Sequence, residues 1–213
     1  MSLSELIVMA KQKPVDGSRI ASAVQHQSEV LSEILDGLLS DKGTLKFGCE
    51  KLLRIISEYK PVLLYPHLSL FSDNLQSENT FIRCGAMVVI ANLAVIDHDK
   101  KIDAYLDDYY NAIPGPALIP AGTAIKGSAT IAKAKPYLTD RIVDEILKVE
   151  HASYQTTECR NIACGHAISA LSEIFDQASD KEKIICFAKH QVGNSRTGTA
   201  NKAVKFLKKF DTK

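Results

Sequence analysis

The sequence predicts an all-α fold, a solenoid of stacked helical hairpins, and three observations carry that prediction. Glu78–Ile96 (ENTFIRCGAMVVIANLAVI) places Val89, Ile90 and Leu93 at the 3.6-residue helical period. The small pair Gly85 and Ala86 leaves the early turns almost bare on one face, so another helix can approach closely. The same pattern returns at Lys46, Gly48, Cys49, Leu52, Leu53 and Ile56, and Gly48, Gly85 and Gly122 are spaced 37 residues apart, twice in succession. A fixed period of that length marks repeats that bury their apolar faces only against their neighbours. No run alternates with period two beside turn signals, so no strand is expected.

The elements follow in chain order. Ser2–Ala10 reads as a short amphipathic helix with a capping box of Ser2 and Glu5, ended by Pro14 and Asp16-Gly17. Arg19–Leu39, apolar at Ile20, Val24, Leu31, Ile34, Leu35, Leu38 and Leu39, is expected to be one long helix, the A helix of the first clear repeat. The turn Ser40–Gly43 hands the chain to a B helix at Leu45–Tyr59, and Pro61 and Pro66 mark the next corner. The second repeat ends at Ile96, and Asp97-His98-Asp99 is expected as an exposed turn before a third A helix at Lys101–Ala112. Pro114, Gly115, Pro116 and Pro120 exclude regular helix across the following corner, which becomes an extended excursion of about eight residues. The B helix from Gly122 to Ala134 is poor in bulky residues. Either neighbouring helices press closely on it or something outside the chain does. In the fourth repeat Thr139 is expected to cap an A helix reaching Val149. Its B helix, Thr157–Asp176, carries the small residues Ala163, Cys164, Gly165 and Ala167. Ser179 and Glu182 read as a second capping box opening Lys181–His190, and after the loop Gly193–Gly198 comes a basic amphipathic helix, Ala200–Phe210.

A chain of 213 residues buries roughly 70% of the surface its unfolded form exposes, so its core needs neither disulfide nor metal. The five cysteines, Cys49, Cys84, Cys159, Cys164 and Cys186, are odd in number, and three of them sit at or beside small-residue helix slots. Reduced, packed thiols and a cytoplasmic location are expected. No secretory leader pattern opens the chain, and the longest apolar run, Ala86–Ile96, spans 11 residues against the roughly 20 a bilayer requires. Neither secretion nor a membrane span is expected. The net charge of +1 divides sharply. Residues 181–213 hold nine Lys or Arg against Glu182 and Asp211, which is +7. The preceding 180 residues hold the other 17 basic and 23 acidic residues, which is −6. Such asymmetry suits an anionic partner, and it also suits a solvated terminal repeat.

Arg83, placed after Ile82 and before Gly85-Ala86, makes this stretch resemble the second helix of a HEAT repeat, and Lys46 after Leu45 echoes it. The resemblance extends over roughly residues 28–210 as four to five degenerate repeats, with Pro120 in the slot of the basic residue in the third. It implies a right-handed superhelix of antiparallel helix pairs, in the HEAT and armadillo manner, used mainly to bind proteins and in some relatives nucleic acid; it implies no chemistry by itself. On that basis residues 1–213 form a single domain: a capping helix at 1–17, HEAT-like repeats at 18–178 and a basic capping repeat at 179–213.

No catalytic constellation, cofactor or metal site emerges from the pattern. His151, Glu158, Cys159, Cys164 and His166 are potential zinc ligands, but Cys164 and His166 point roughly 200° apart on a helix and no C-x-x-C or H-x-x-x-H pairing occurs. The HEAT-like family includes metal-dependent hydroxylases with repeated His-Glu dipeptides, of which this chain has none. It also includes glycosylases of DNA alkylation repair, which rely on tryptophans and a catalytic aspartate; this chain has no Trp to hold an extruded base. Gly122-Thr-Ala-Ile-Lys-Gly-Ser holds the residue types of a phosphate loop in the wrong order. Two candidate surfaces remain. Gly122, Lys126, Gly127 and Lys133 lie on the small-residue B helix, where a polypeptide partner would bind. Arg196, Lys202, Lys205, Lys208 and Lys209 form a basic surface opposite Ala203, Phe206, Leu207 and Phe210. The leading expectation is a noncatalytic scaffold or adaptor that binds another protein through its concave B-helix surface. The alternative is a nucleic-acid-binding protein using the basic C-terminal helix, and the last is a glycosylase of the alkylation-repair type.

Overall fold

The computed structural model describes residues 1–211; Thr212 and Lys213, the latter counted in the basic tail, lie outside them. Every regular element among the described residues is helical, and the chain gathers into two compact units, Met1–Ile102 and Asp103–Lys213. The first holds α1 (Leu3–Lys11), α2 (Gly17–Gln25), α3 (Ser28–Gly37), α4 (Gly43–Tyr59), α5 (Leu68–Asp73) and α6 (Thr80–Leu93). The second holds α7 (Leu106–Tyr110), α8 (Leu118–Ala134), α9 (Thr139–Leu147), α10 (Thr157–Ile174), α11 (Lys181–Gln191) and α12 (Thr197–Phe210).

In the first unit α4 packs between α1 and α6, with α2 and α3 also against it. Leu52, Leu53 and Ile56 of α4 and Val89, Ile90 and Leu93 of α6 are fully buried, which is where the helical period put them, and Met87 is buried beside them. The glycines sit at the closest approaches. A Cβ at Gly48 would lie 3.0 Å from Ile7 of α1, and one at Gly85 would lie 2.8 Å from Glu50 Cγ on α4. In the second unit α10 packs against both α8 and α12, and its Gly165 meets the Thr199 hydroxyl, 2.7 Å from where a Cβ would stand. The small-residue α8 is thus explained by its neighbours: Ala121, Ala124, Ala129 and Ala132 are buried, and Ser128 satisfies its hydroxyl within the helix on Ala124 O at 2.7 Å.

Polar ties bind successive repeats at the repeat spacing. In the first unit Asn92 Nδ2 donates to Ser57 Oγ at 2.9 Å and Tyr65 OH donates to Asp97 Oδ1 at 2.5 Å. In the second, Arg141 pairs with Asp107 at 2.6 Å, Lys183 with Asp144 at 2.6 Å and Lys133 with Glu173 at 2.5 Å, while Arg196 pairs with Glu158. Partners in these six ties stand 32 to 40 residues apart, so each one links a position to its equivalent region one repeat on.

The structure departs from the sequence reading at several places, among them the third A helix expected at Lys101–Ala112, which is a 3₁₀ helix, Lys101–Tyr105, followed by the short α7. Arg19–Leu39 is two helices, because His26 and Gln27 leave helical geometry (Gln27 φ −136°, ψ 77°) and let α3 turn onto α4. Thr139 does not cap α9; it is the first helical residue, buried, with its hydroxyl toward Gln177 Oε1 at 3.5 Å. The N-cap of α11 is Asp180, which accepts from Lys183 N at 3.3 Å, whereas Ser179 N donates to Asp140. Asp97 is not exposed but 4% accessible, and its carboxylate accepts from the amides of Lys101 and Ile102, capping the 3₁₀ helix Lys101–Tyr105. Finally, α8 begins before Pro120, since first-turn amides have no intrahelical acceptor and a proline there loses no bond. The excursion ahead of it is pinned to the corner after α9: Ser153 N donates to Pro114 O at 3.2 Å, Gln155 N to Pro116 O at 3.3 Å, and Tyr154 OH to Ile113 O. Gly115 is required there, with φ 99° and Ser153 O where a side chain would begin.

Two outcomes test the α4–α6 contact. Gly85→Ala drives a methyl into the Glu50 side chain and is expected to cost about 1–3 kcal/mol in denaturant unfolding. In a Glu50→Ala background it should cost clearly less, and additive costs would place the clash elsewhere. Glu50 is 4% accessible, and burial raises its carboxyl pKa despite the opposing Arg54 and Lys51. The folded protein therefore holds this proton where the unfolded chain has lost it, so stability falls as pH rises through the raised value. Glu50→Gln removes that loss. Its melting temperature relative to the parent protein should be higher at about pH 7 than at about pH 4.

Candidate functional site

The second unit sets three B helices side by side, α8, α10 and α12, and the contact between α10 and α12 is made by backbone. Gly165 has no side chain, so α12 comes close enough for Thr199 Oγ1 to donate to Asn161 O at 2.7 Å. Lys202 Nζ donates to Gly165 O at 2.9 Å, one helical turn further along α10. Both carbonyls also serve the helix, and Gly165 O accepts from Ser169 Oγ at 3.1 Å as well. Lys202 is thereby held on the α10 surface instead of waving in solvent.

Positive charge converges here. His166 of α10 packs over Gly122 of α8, where a Cβ would lie 3.3 Å from the imidazole Cδ2. Burial lowers its pKa first, and Lys126, Lys202 and Arg196 lower it further by repulsion. The Lys202 pKa is lowered in the same way, by desolvation and then by Lys126 and Arg196. Next to this cluster α10 and α12 enclose an open groove of about 220 Å³, with Ile168, Ser169 and Ser172 on one side and Lys202, Lys205, Phe206 and Lys209 on the other.

The two candidate surfaces read from the sequence therefore meet on one face. Gly122 and Lys126 from the first and Lys202, Lys205 and Lys209 from the second belong to the same three-helix patch. Gly127 is half-buried on α8. Lys133 and Arg196 are partly spent, on Glu173 and Glu158 respectively. Lys208 is exposed and lies outside the groove lining. Leu207 and Phe210 are only half-buried, Phe210 stacking on Phe175 at 4.2 Å.

Among the described residues no three His, Cys, Asp or Glu side chains converge as metal ligands. All five cysteines are free, and burial pushes the Cys49 and Cys164 thiols up to about 11, which makes them inert packing groups.

Three features escaped the sequence reading. His166 was considered only as a metal ligand, and its role on the basic face depends on α8 and α12 lying beside it. Cys186 Sγ lies 3.6 Å from His190 Nε2, whose Nδ1 lies 3.0 Å from Glu150 Oε1; the i, i+4 spacing of the first two was visible, but Glu150 comes from 40 residues upstream. Gln191 donates to the same Glu150 oxygen at 3.3 Å, so this cluster ties α11 to the preceding corner. In the first unit Phe47 and Phe81 stack at 5.3 Å across α4 and α6 while remaining 42% and 60% exposed.

No protein-family model and no curated protein sequence matches the chain. Its fold does match solved structures. The designed armadillo repeat protein YIII(Dq)4CqI superposes with a TM-score of 0.62 at 13% identity, over 97% of this chain and 99% of that one. An engineered protein, Northeast Structural Genomics Consortium target OR329, superposes with a TM-score of 0.56 at 15% identity, over 97% and 95%. The chain has a HEAT/armadillo-like helical-repeat fold. No helix among the described residues is long and apolar enough to cross a membrane.

The charge cluster has a direct reporter. His166 is expected to titrate below the ordinary histidine value of 6.5 in a proton NMR titration, and Lys126→Gln should move its midpoint upward because one repelling cation is gone. A midpoint unmoved by that change would mean that Lys126 does not act on this imidazole.

Proposed function

We propose that this chain is a noncatalytic binding module that takes a segment of another polypeptide on the B-helix face formed by α8, α10 and α12. The observation that carries the reading is the distribution of unpaired charge. Lys133, Lys135, Arg141, Lys183 and Arg196 each meet a carboxylate of another element. Lys126, Lys202, Lys205 and Lys209 pair with no carboxylate among the described residues, and all four lie together on the face formed by α8, α10 and α12. Cations packed together without counter-charges cost stability, and that cost is recovered when a partner supplies the charge.

The fold's likeness to a designed armadillo repeat protein supports a role without catalysis. The lysines also suit a phosphate backbone, which makes nucleic-acid binding the second reading. Affinity capture of the tagged protein from its own cell lysate, with and without nuclease, separates the two. A retained polypeptide that survives nuclease, and is lost with Lys126→Glu combined with Gly127→Lys, is expected. Retention that vanishes on nuclease treatment would transfer the function to nucleic acid.

A further inference from the structure

Resting on that reading, we infer that the occupant of the α10–α12 groove is an acidic polypeptide segment, its Asp and Glu side chains meeting Lys202, Lys205 and Lys209 while Lys126 extends the contact onto α8. Four observations converge on this chemistry. The groove is lined by three lysines and two serines over an apolar floor that includes Ile168 and Phe206; Ser169 donates its hydroxyl to Gly165 O at 3.1 Å, so the groove offers oxygen acceptors its ammonium groups and the Ser172 hydroxyl, and intervening methylenes a dry surface. Lys202 is fixed by its bond to Gly165 O, which leaves two of its three N–H donors for a ligand and removes part of the ordering cost of binding. Positive charge converges beside the groove, where burial and then Lys126, Lys202 and Arg196 lower the pKa of His166 packed over Gly122.

The fourth observation decides between an acidic peptide and a nucleic acid. Glu158 and Glu173 of α10 stand beside the cationic patch, each already paired with Arg196 or Lys133. A continuous phosphate backbone would carry charge past both of them, whereas a peptide can place its carboxylates over the lysines and neutral residues elsewhere. Nor does the groove offer a base a stacking surface: Phe206 is buried, and Phe210 is occupied by contacts with Phe175 and Phe206 at 4.2 and 4.8 Å.

The test uses fluorescence anisotropy on the full chain with three labelled probes of equal length: a peptide alternating Asp with Gly, its Asn counterpart, and a single-stranded oligonucleotide. The acidic peptide should bind with an affinity that falls with salt, and the Asn peptide should not bind. Lys205→Gln combined with Lys209→Gln spares the Lys202 bond to α10, so folding is kept, and it should weaken the acidic peptide by about tenfold. Bound peptide should also raise the His166 titration midpoint, because added negative charge relieves the repulsion there. Equal or tighter binding of the oligonucleotide would overturn the inference in favour of a phosphate backbone, and acidic-peptide binding unaffected by the double substitution would move the site elsewhere. If the acidic peptide fails to bind while nuclease-resistant capture persists in the double variant, the polypeptide-binding reading stands and this assignment of its ligand falls.

Discussion

The close approach of successive B helices is the constraint on which the rest depends. Gly48, Gly85, Gly122 and Gly165 each stand where a Cβ would meet a neighbouring helix at 3.3 Å or less. A repeat that buries its apolar face only against its neighbours has no second layer to compensate for a poor fit, so the packing distance between B helices sets how much of Leu52, Val89, Ile125 or Leu171 leaves water. The consequences differ by what lies opposite. At Gly48 it is aliphatic Ile7 and the contact is plain packing. At Gly85 it is a buried carboxylate, whose raised pKa makes the same contact sensitive to pH. At Gly165 it is a threonine hydroxyl, and there the approach admits hydrogen bonds from α12 to the backbone of α10.

A second rule follows from repetition. Where position i of one repeat faces its equivalent in the next, a cation and an anion placed 34 to 40 residues apart find each other without long loops. Most such pairs are exposed and stabilise little individually. Their informative property is location: Arg141–Asp107 and Lys183–Asp144 consume charge on the A helices, and Lys133–Glu173 and Arg196–Glu158 consume it on α8, α10 and at the start of α12. Arg141, Lys183, Asp107 and Asp144 are neutralised in place, whereas the lysines of the α10–α12 groove are not.

How much of this was legible in the sequence depends on the range of the interaction. The glycine period, the alternation of long helices and the basic terminus are properties of sequence spacing; they predict the fold and nominate the two candidate surfaces. What the spacing could not give was neighbourhood. Lys126 and Lys202 are 76 positions apart and act on the same imidazole only because α10 lies between α8 and α12. Asp97 looked like an exposed turn because its ligands are the backbone amides of Lys101 and Ile102 and the Tyr65 hydroxyl, none of which leaves a residue pattern. The break at His26-Gln27 was hidden for the opposite reason: the apolar period runs straight through it, and only the packing of α2 and α3 on α4 requires the chain to turn.

The same residue choices that make the repeat pack also shape the face proposed here for binding. A helix rich in Gly, Ala and Ser gives its neighbours backbone to contact, and long side chains on it can lie only at the solvent edge, as Lys126 does on α8. On α10 the glycine that admits Thr199 also exposes the carbonyl that anchors Lys202. Packing and the placement of charge on this face are therefore coupled through Gly165. A side chain there would push α12 outward, breaking the Thr199 and Lys202 bonds together and dispersing the cations that now act jointly on His166. The charge on this face is a product of helix spacing as much as of lysine content, which is why the exposed Lys208, on the same helix but outside the groove, does not share it.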